Sequence, residues 1–295
     1  MKITQVSFPI EIGSVADIDF FPDGTTVSIQ GTQNHQVLLC GDVRIDLPAA
    51  WNPPFYSFVR VLSNSHILVA NGNHHEIGSA NAWILNRQGD ILTAFDMGSW
   101  AVEITCLLGQ IAVAFHPLSA KAMGYQVHPL QRSGILFFDN KGKMITGFNQ
   151  LATKNSLYVE NVRCMTATSK TQLAFVPEKA LWHGEEIENP VVFYDFCTHT
   201  PNVIMAPAAK AEAISTLGSV IHLSSPIGWE DQIITFDPSA KISQHRGEFL
   251  GVFRGLSGGA FLAQQSASSY LVIEPESLDL FASPVDQPAE ETTLL

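Results

Sequence analysis

This sequence predicts an all-β chain built from repeated four-stranded units, on three observations. Of its 295 residues, 46% are hydrophobic and only 15% charged, against roughly 25% charged in an ordinary globular domain. That balance suits many short buried strands better than long solvated helices. Second, one phrase recurs: an apolar run, an Asn, Asp or Glu, a short turn, and a second apolar run. Third, no segment between the copies holds a sustained helical period.

The recurring phrase reads "AWILNRQGDILTAF", "GILFFDNKGKMITGF", "VVFYDFCTHTPNVIM", "QIITFDPSAKISQH" and "YLVIEPESLDLFA". Its turn residues are Asn86, Asp139, Asp195, Asp237 and Glu274, at spacings of 53, 56, 42 and 37 residues. "QVLLCGDVRIDLP", around Cys40 to Asp42, is a degenerate first copy. Each phrase predicts a hairpin, because Asx side chains bond their own backbone at turns and Gly89 or Gly142 can take positive φ.

A second hairpin precedes each of these: "ADIDFFPDGTTVSIQ", "FVRVLSNSHILVA", "ITCLLGQIAVAF", "VRCMTATSKTQLAF", "AISTLGSVIHLS" and "VFRGLSGGAFLAQ". Six four-stranded units then cover roughly residues 15–283. Units of this length and content are the sequence signature of a β-propeller. The leading "KITQVSFPI" can supply a strand that closes the ring against the last unit and removes an open edge. A count of seven blades also fits the length, at about 42 residues each. The expected organisation is one propeller domain over 1–285 and a disordered acidic tail over 286–295, where "DQPAEETTLL" has no periodicity.

In pattern the repeats resemble six-bladed propellers of the NHL, gluconolactonase and strictosidine-synthase type. The WD dipeptide and the kelch Gly-Gly signature are missing. With strands a to d running from axis to rim, the b–c connections share one face. They are uneven there: "GNHHEIGSAN", "HPLSAKAMGYQVHPLQRS", "PEKALWHGEEIEN" and "SSPIGWED" are long. Loops longer than the fold needs tend to carry function. This face is expected to present His74, His75 and Glu76, Tyr125 and His128, Trp182, His183, Glu185 and Glu186, and Trp229, Glu230 and Asp231. Tryptophans flanked by acids suit a protein-binding surface, where aromatic anchors dominate the energy.

A second group lies nearer the axis. Aligning Gly109 with Gly218 puts Glu103 opposite Glu212, with Glu160 and Asp17 or Asp19 close to the same level. The gluconolactonase resemblance implies a divalent cation such as Ca²⁺ held by carboxylate oxygens at the channel mouth. A hard cation wants six or more oxygens, and Asn161 could join. Such a metal would polarise a lactone or ester carbonyl and activate water. No residue-by-residue match to those families' ligand motifs exists.

Other chemistry finds little support. "LSGGAF" near Ser257 reads as a hairpin turn, not a nucleophile elbow. His74–His75 lacks the helical spacing of a zinc motif. No Gly-rich loop opens a helix after a strand. The net charge of −12 disfavours nucleic acid and anionic membrane, which reward Lys and Arg. No apolar run approaches the roughly 18 residues of a membrane span. Cys40, Cys106, Cys164 and Cys197 are far apart in apolar runs and read as reduced core thiols, which implies a cytoplasmic protein. The expected function is therefore non-catalytic binding of a basic protein, with no cofactor; an immunity-type inhibitor of a basic toxin is one concrete form. The alternative is the metal-dependent lactonase or esterase.

Overall fold

The computed structural model describes residues 2–7, 13–32, 35–47, 57–72, 78–107, 109–116, 129–206, 211–227, 230–238, 242–249, 253–256, 258–266 and 269–275. These residues form six four-stranded antiparallel sheets and one of three strands. Strand β1 (Lys2–Ser7) comes first in the chain. Sheet one holds β2 (Ser14–Phe20), β3 (Thr26–Thr32), β4 (His35–Cys40) and β5 (Val43–Asp46). Sheet two holds β6 (Ser57–Val61), β7 (His66–Asn71), β8 (Ala82–Asn86) and β9 (Ile91–Phe95). Sheet three holds β10 (Ala101–Leu107), β11 (Gln110–Phe115), β12 (Ile135–Phe138) and β13 (Met144–Gly147).

A five-residue helix, α1 (Phe148–Ala152), and the short strand β14 (Leu157–Val159) follow. Sheet four holds β15 (Val162–Ala167), β16 (Gln172–Pro177), β19 (Pro190–Asp195) and β20 (Thr200–Met205). Between its second and third strands lies a hairpin of β17 (Ala180–Trp182) and β18 (Glu185–Ile187), which pairs with β14 as the three-stranded sheet. Sheet five holds β21 (Ala213–Leu217), β22 (Val220–Ile227), β23 (Glu230–Asp237) and β24 (Ile242–Phe249). Sheet six holds β25 (Phe253–Gly255), β26 (Phe261–Ser266) and β27 (Ser269–Glu274). Its outer strand is β1, paired antiparallel from Lys2↔Glu274 to Ser7↔Ser269. The N-terminal strand thus covers the edge of the last sheet, as expected from the sequence.

The apolar runs bury because each sheet is covered on both faces by its neighbours. In β4 and β7 five of six residues are buried, whereas the rim strand β5 is mostly exposed. The core is accordingly a series of layers between successive sheets. Val27, Ile29, Val59 and Ile67 pack between sheets one and two. Ala112, Phe137, Met165 and Phe175 pack between three and four. Val15 and Ile18 meet Leu262 and Tyr270, which joins sheet six to sheet one.

The five turn residues picked out by the repeat all end or follow the third strand of their sheet. Asn86 Oδ1 accepts from the amides of Gln88 and Asp90, at 3.0 and 2.9 Å. Asp139 Oδ1 does the same for Lys141 and Lys143, at 2.8 and 2.9 Å. Asp195 Oδ1 accepts from Cys197 and Thr198. These backbone donors hold the Asp139 and Asp195 carboxyls below their ordinary values. Gly142 follows at φ 75°, and a Cβ there would fall 2.2 Å from the Phe95 ring of sheet two.

The cysteine expectation needs one correction. Cys40 and Cys164 are buried, but Cys197 is exposed in the β19–β20 turn. Its apolar neighbours belong to the strand, and the turn itself faces out. No helix among the described residues is long and apolar enough to cross a membrane. The predicted tail, 286–295, lies outside the described residues.

Candidate functional site

The stretch "ALWHGEEIENP" is not a loop. It forms the β17–β18 hairpin, turned by His183 at φ 54° and Gly184 at φ 88°. Its register decides which side chains face out. Leu157 pairs with Trp182, and Trp182 with Glu185; Tyr158 pairs with Leu181, and Leu181 with Glu186. Alternation along a strand puts these two rows on opposite faces. Leu157 is 2% exposed and Trp182 packs against the same core, so that row faces inward. Tyr158 is 40% exposed, so the other row faces outward. The outward aromatic is therefore Tyr158, and Trp182 is half-buried with its ring stacked on His183 at 5.5 Å. His183, Glu185 and Glu186 are exposed, as expected, and Lys179 Nζ approaches Glu186 at 3.6 Å.

The neighbouring stretch around 224–231 also differs from a loop. β22 runs to Ile227 and β23 starts at Glu230, so Glu230 and Asp231 continue a ladder, opposite Ile227 and Pro226. Trp229, His74, Glu76, Tyr125 and His128 lie outside the described residues.

At the axis the structure builds something else from the expected acids. Asp17 and Asp19 sit on β2, Arg60 on β6, Glu103 on β10 and Arg254 on β25. Arg60 Nη1 lies 2.5 Å from Asp17 Oδ2, and its Nη2 lies 2.5 Å from Glu103 Oε1. Its Nε donates to the Ile104 carbonyl at 2.7 Å. Arg254 Nη1 lies 3.2 Å from Asp17 Oδ1, and its Nη2 donates to the Ile18 carbonyl at 2.7 Å and reaches Asp19 Oδ1 at 3.4 Å. The amides of Val59 and Val61 donate to Asp17 Oδ2 and Asp19 Oδ2, at 2.9 and 2.7 Å. One belt of charge thus joins sheets six, one, two and three. Burial opposes the Arg60 charge, but Asp17, Glu103 and Asp19 outweigh it and hold the guanidinium above its ordinary value.

Bulges aim the acids. β2 shifts register between Val15 and Asp17, and β10 between Ala101 and Glu103. A bulge re-aims the side chain that follows it. In both strands that side chain also accepts from the next amide, Ile18 and Ile104 respectively, at 2.8 and 2.9 Å.

The expected trio of Glu103, Glu160 and Glu212 does not assemble. Among the described residues no three His, Cys, Asp or Glu side chains form a group that could hold a metal ion. Leu107 pairs with Gln110 around one turn and Leu217 with Val220 around the other. Glu103 opposite Ala114 is then equivalent to Ala213 opposite Ser224, and Glu212 stands one residue earlier. A one-residue slip reverses the face a side chain takes. So Glu103 is held by Arg60 while Glu212 is exposed. Glu160 is half-buried beside Asn161, which instead donates to Glu178 Oε2 at 2.9 Å. Glu178 also holds Arg163 and His116, at 3.0 and 2.8 Å.

The arginines were the part of this site that the sequence reading missed. The signal was available: "FVRVLS" and "VFRGLS" repeat an arginine inside an apolar inner strand. Arginine is almost never fully buried unless paired, so each demands a carboxylate from a neighbouring sheet.

Below the belt, at the end of the axis where the a–b turns lie, is a cavity of about 390 Å³. Asp19, Arg60, Glu103, Thr105, Thr166 and Arg254 contribute its polar wall. Leu62, Ile104, Met165 and Leu256 contribute apolar wall. The Cys106 thiol also lines it, and burial, with Asp19 adding to it, pushes that thiol up to about 12, which leaves it a poor nucleophile at neutral pH.

No protein-family model matches the sequence, and no curated protein is similar to it. Solved structures are similar. U3-55K shares 10% identity, with 92% of this chain and 98% of that one covered and a TM-score of 0.52. Virginiamycin B lyase from Staphylococcus aureus shares 10% identity over 93% of this chain and 99% of that one, with a TM-score of 0.51. Hydrazine synthase from Kuenenia stuttgartiensis shares 10% identity over 85% and 74%, with a TM-score of 0.50. At such identities the likeness concerns the fold alone. The repeated four-stranded sheets and these neighbours together make the chain a β-propeller.

Proposed function

We propose that this propeller is a non-catalytic binding module that takes a basic protein on the face carrying the β17–β18 hairpin. β-Propellers commonly mediate protein interactions, although virginiamycin B lyase is an enzyme. The carrying observation is the extra three-stranded sheet. It adds to the four-stranded unit an outward row of Tyr158, Leu181 and Glu186, with Glu185 exposed at the hairpin end. An exposed aromatic beside acids is suited to anchor a partner and to select its charge. The net charge of −12 favours a basic partner and disfavours nucleic acid and anionic membrane.

An immunity-type inhibitor of a basic toxin is the concrete form of this reading. We also propose six blades of the NHL-like type, a count that the six four-stranded sheets among the described residues support. A reducing compartment such as the cytoplasm fits four cysteines without a disulfide. The alternative metal-dependent hydrolase gains no support from Glu103, whose Oε1 is taken by Arg60.

The test is capture of a partner by the full chain, followed by binding kinetics. Tyr158→Ala is expected to speed dissociation, with a loss of about 2 kcal/mol. Glu185→Lys with Glu186→Lys is expected to slow association and flatten its salt dependence. A partner that ignores both changes overturns the reading.

A further inference from the structure

The axial cavity lies at the opposite end of the inner strands from the b–c connections, and the protein-binding reading does not use it. It is bordered by side chains whose hydrogen-bonding capacity is unequally spent. Each guanidinium spends most of its five N–H donors, four on Arg60 and three on Arg254. Arg60 donates through Nε to Ile104, through Nη1 to Asp17 and the Val59 carbonyl, and through Nη2 to Glu103. Arg254 donates to Asp17, Asp19 and the Ile18 carbonyl. The acceptors are not exhausted. Glu103 takes both its bonds on Oε1, and its Oε2 has no partner among the described residues. Asp19 Oδ1 has one long contact, at 3.4 Å. Thr166, only 3% exposed, lines the cavity together with Thr105.

Charge points the same way. Among the described residues, Asp17, Asp19 and Glu103 form ion pairs only with Arg60 and Arg254, which leaves these five groups one negative charge in excess. The volume, about 390 Å³, is at the small end of ligand sites, which run from roughly 300 Å³ upward. At roughly 30 Å³ for a water-sized group, it holds on the order of a dozen non-hydrogen atoms. Leu62, Ile104, Met165 and Leu256 give it an apolar side.

We propose that this cavity is a binding site for a small organic cation: a primary ammonium or amidinium-type group on a compact apolar body. The cationic head donates to Glu103 Oε2 and Asp19 and to the Thr166 hydroxyl. The body rests on the aliphatic wall. An anion would find both arginines already engaged.

Calorimetric titration of the full chain tests this with four probes of similar shape: benzylamine, benzamidine, benzyl alcohol and benzoate. Benzoate also probes Lys170, which lines the depression next to the cavity. The two cations are expected to bind at least about tenfold more tightly than the alcohol and the acid. Glu103→Gln keeps the Oε1 acceptor and is expected to remove most of that preference. Thr166→Val leaves every ion pair in place and is expected to weaken cation binding by about threefold to tenfold. If Glu103→Gln melts too early to titrate, Thr166→Val decides. The proposal is overturned if no cation binds at about 10 mM, which corresponds to less than about 3 kcal/mol. It is equally overturned if the alcohol or benzoate binds as tightly, or if Thr166→Val leaves the cation affinity unchanged.

Discussion

Arg60 and Arg254 occupy the same place in their sheets, and each grips the next sheet in the same way. Arg60 faces Leu68 across one a–b turn, and Arg254 faces Leu262, the same eight residues further on, across another. Arg60 then binds the Glu103 carboxylate and the Ile104 carbonyl, while Arg254 binds the Asp17 carboxylate and the Ile18 carbonyl. The acid in each case follows a bulge. The repeat therefore reaches the axis as a device that locks one sheet to the next.

Arg60→Met is expected to destabilise the protein by about 3–5 kcal/mol in urea denaturation, because it leaves Glu103 in a largely buried site without its cation and Asp17 with Arg254 alone. Adding Glu103→Gln to that variant should recover part of the loss. An additive double mutant would show that the pair contributes nothing as a pair.

Asp23 ties the first a–b turn to sheet two. Its Oδ1 accepts from the Thr25 amide at 2.9 Å, and its Oδ2 from Arg87 at 2.9 Å. The Thr25 bonds and Arg87 lower its carboxyl to about 2. A folded value below the unfolded one adds stability that is complete above the unfolded value and is lost as pH falls toward the folded one. Asp23→Asn should therefore be less stable than the wild type at about pH 6, with the difference fading between about pH 4 and about pH 2. A difference that persists unchanged at the acid end would contradict this.

Gly142 and Gly24 both sit at positive φ, 75° and 84°. A Cβ on Gly24 meets nothing within 4 Å, whereas one on Gly142 falls on the Phe95 ring. Gly24→Ala should cost about 1 kcal/mol of backbone strain. Gly142→Ala should cost that and about 1–3 kcal/mol more, since the turn of sheet three must lift from sheet two. Thermal unfolding of the two variants separates the terms.

Removal of residues 1–7 takes away β1, six ladder pairs with β27 and the Lys2–Glu274 ion pair at 2.7 Å. The last sheet is left with an uncovered edge, which invites pairing with another chain. The shortened chain should melt earlier and associate with rising concentration in sedimentation. A monomer of unchanged melting temperature would mean that β1 is dispensable.

The sequence alone determined the strands of the repeated four-stranded units, though not α1 or the sheet of β14, β17 and β18. Val, Ile, Leu and Phe in short runs, punctuated by Asn86, Asp139 and Asp195, specify strands and turns through contacts a few residues apart, so the repeat and the closing strand β1 were legible. Which side chains meet was decided by register and by the packing of one sheet on another. A one-residue difference between the turns of β10 and β21 separates Glu103 from Glu212. The pairing of β14 with β17 turns Trp182 inward and Tyr158 outward. Arg60 finds Asp17 and Glu103, each 43 residues away in sequence. Strand alternation has a period of two, so an uncertainty of one residue, harmless to the fold, reverses every face on which a site depends.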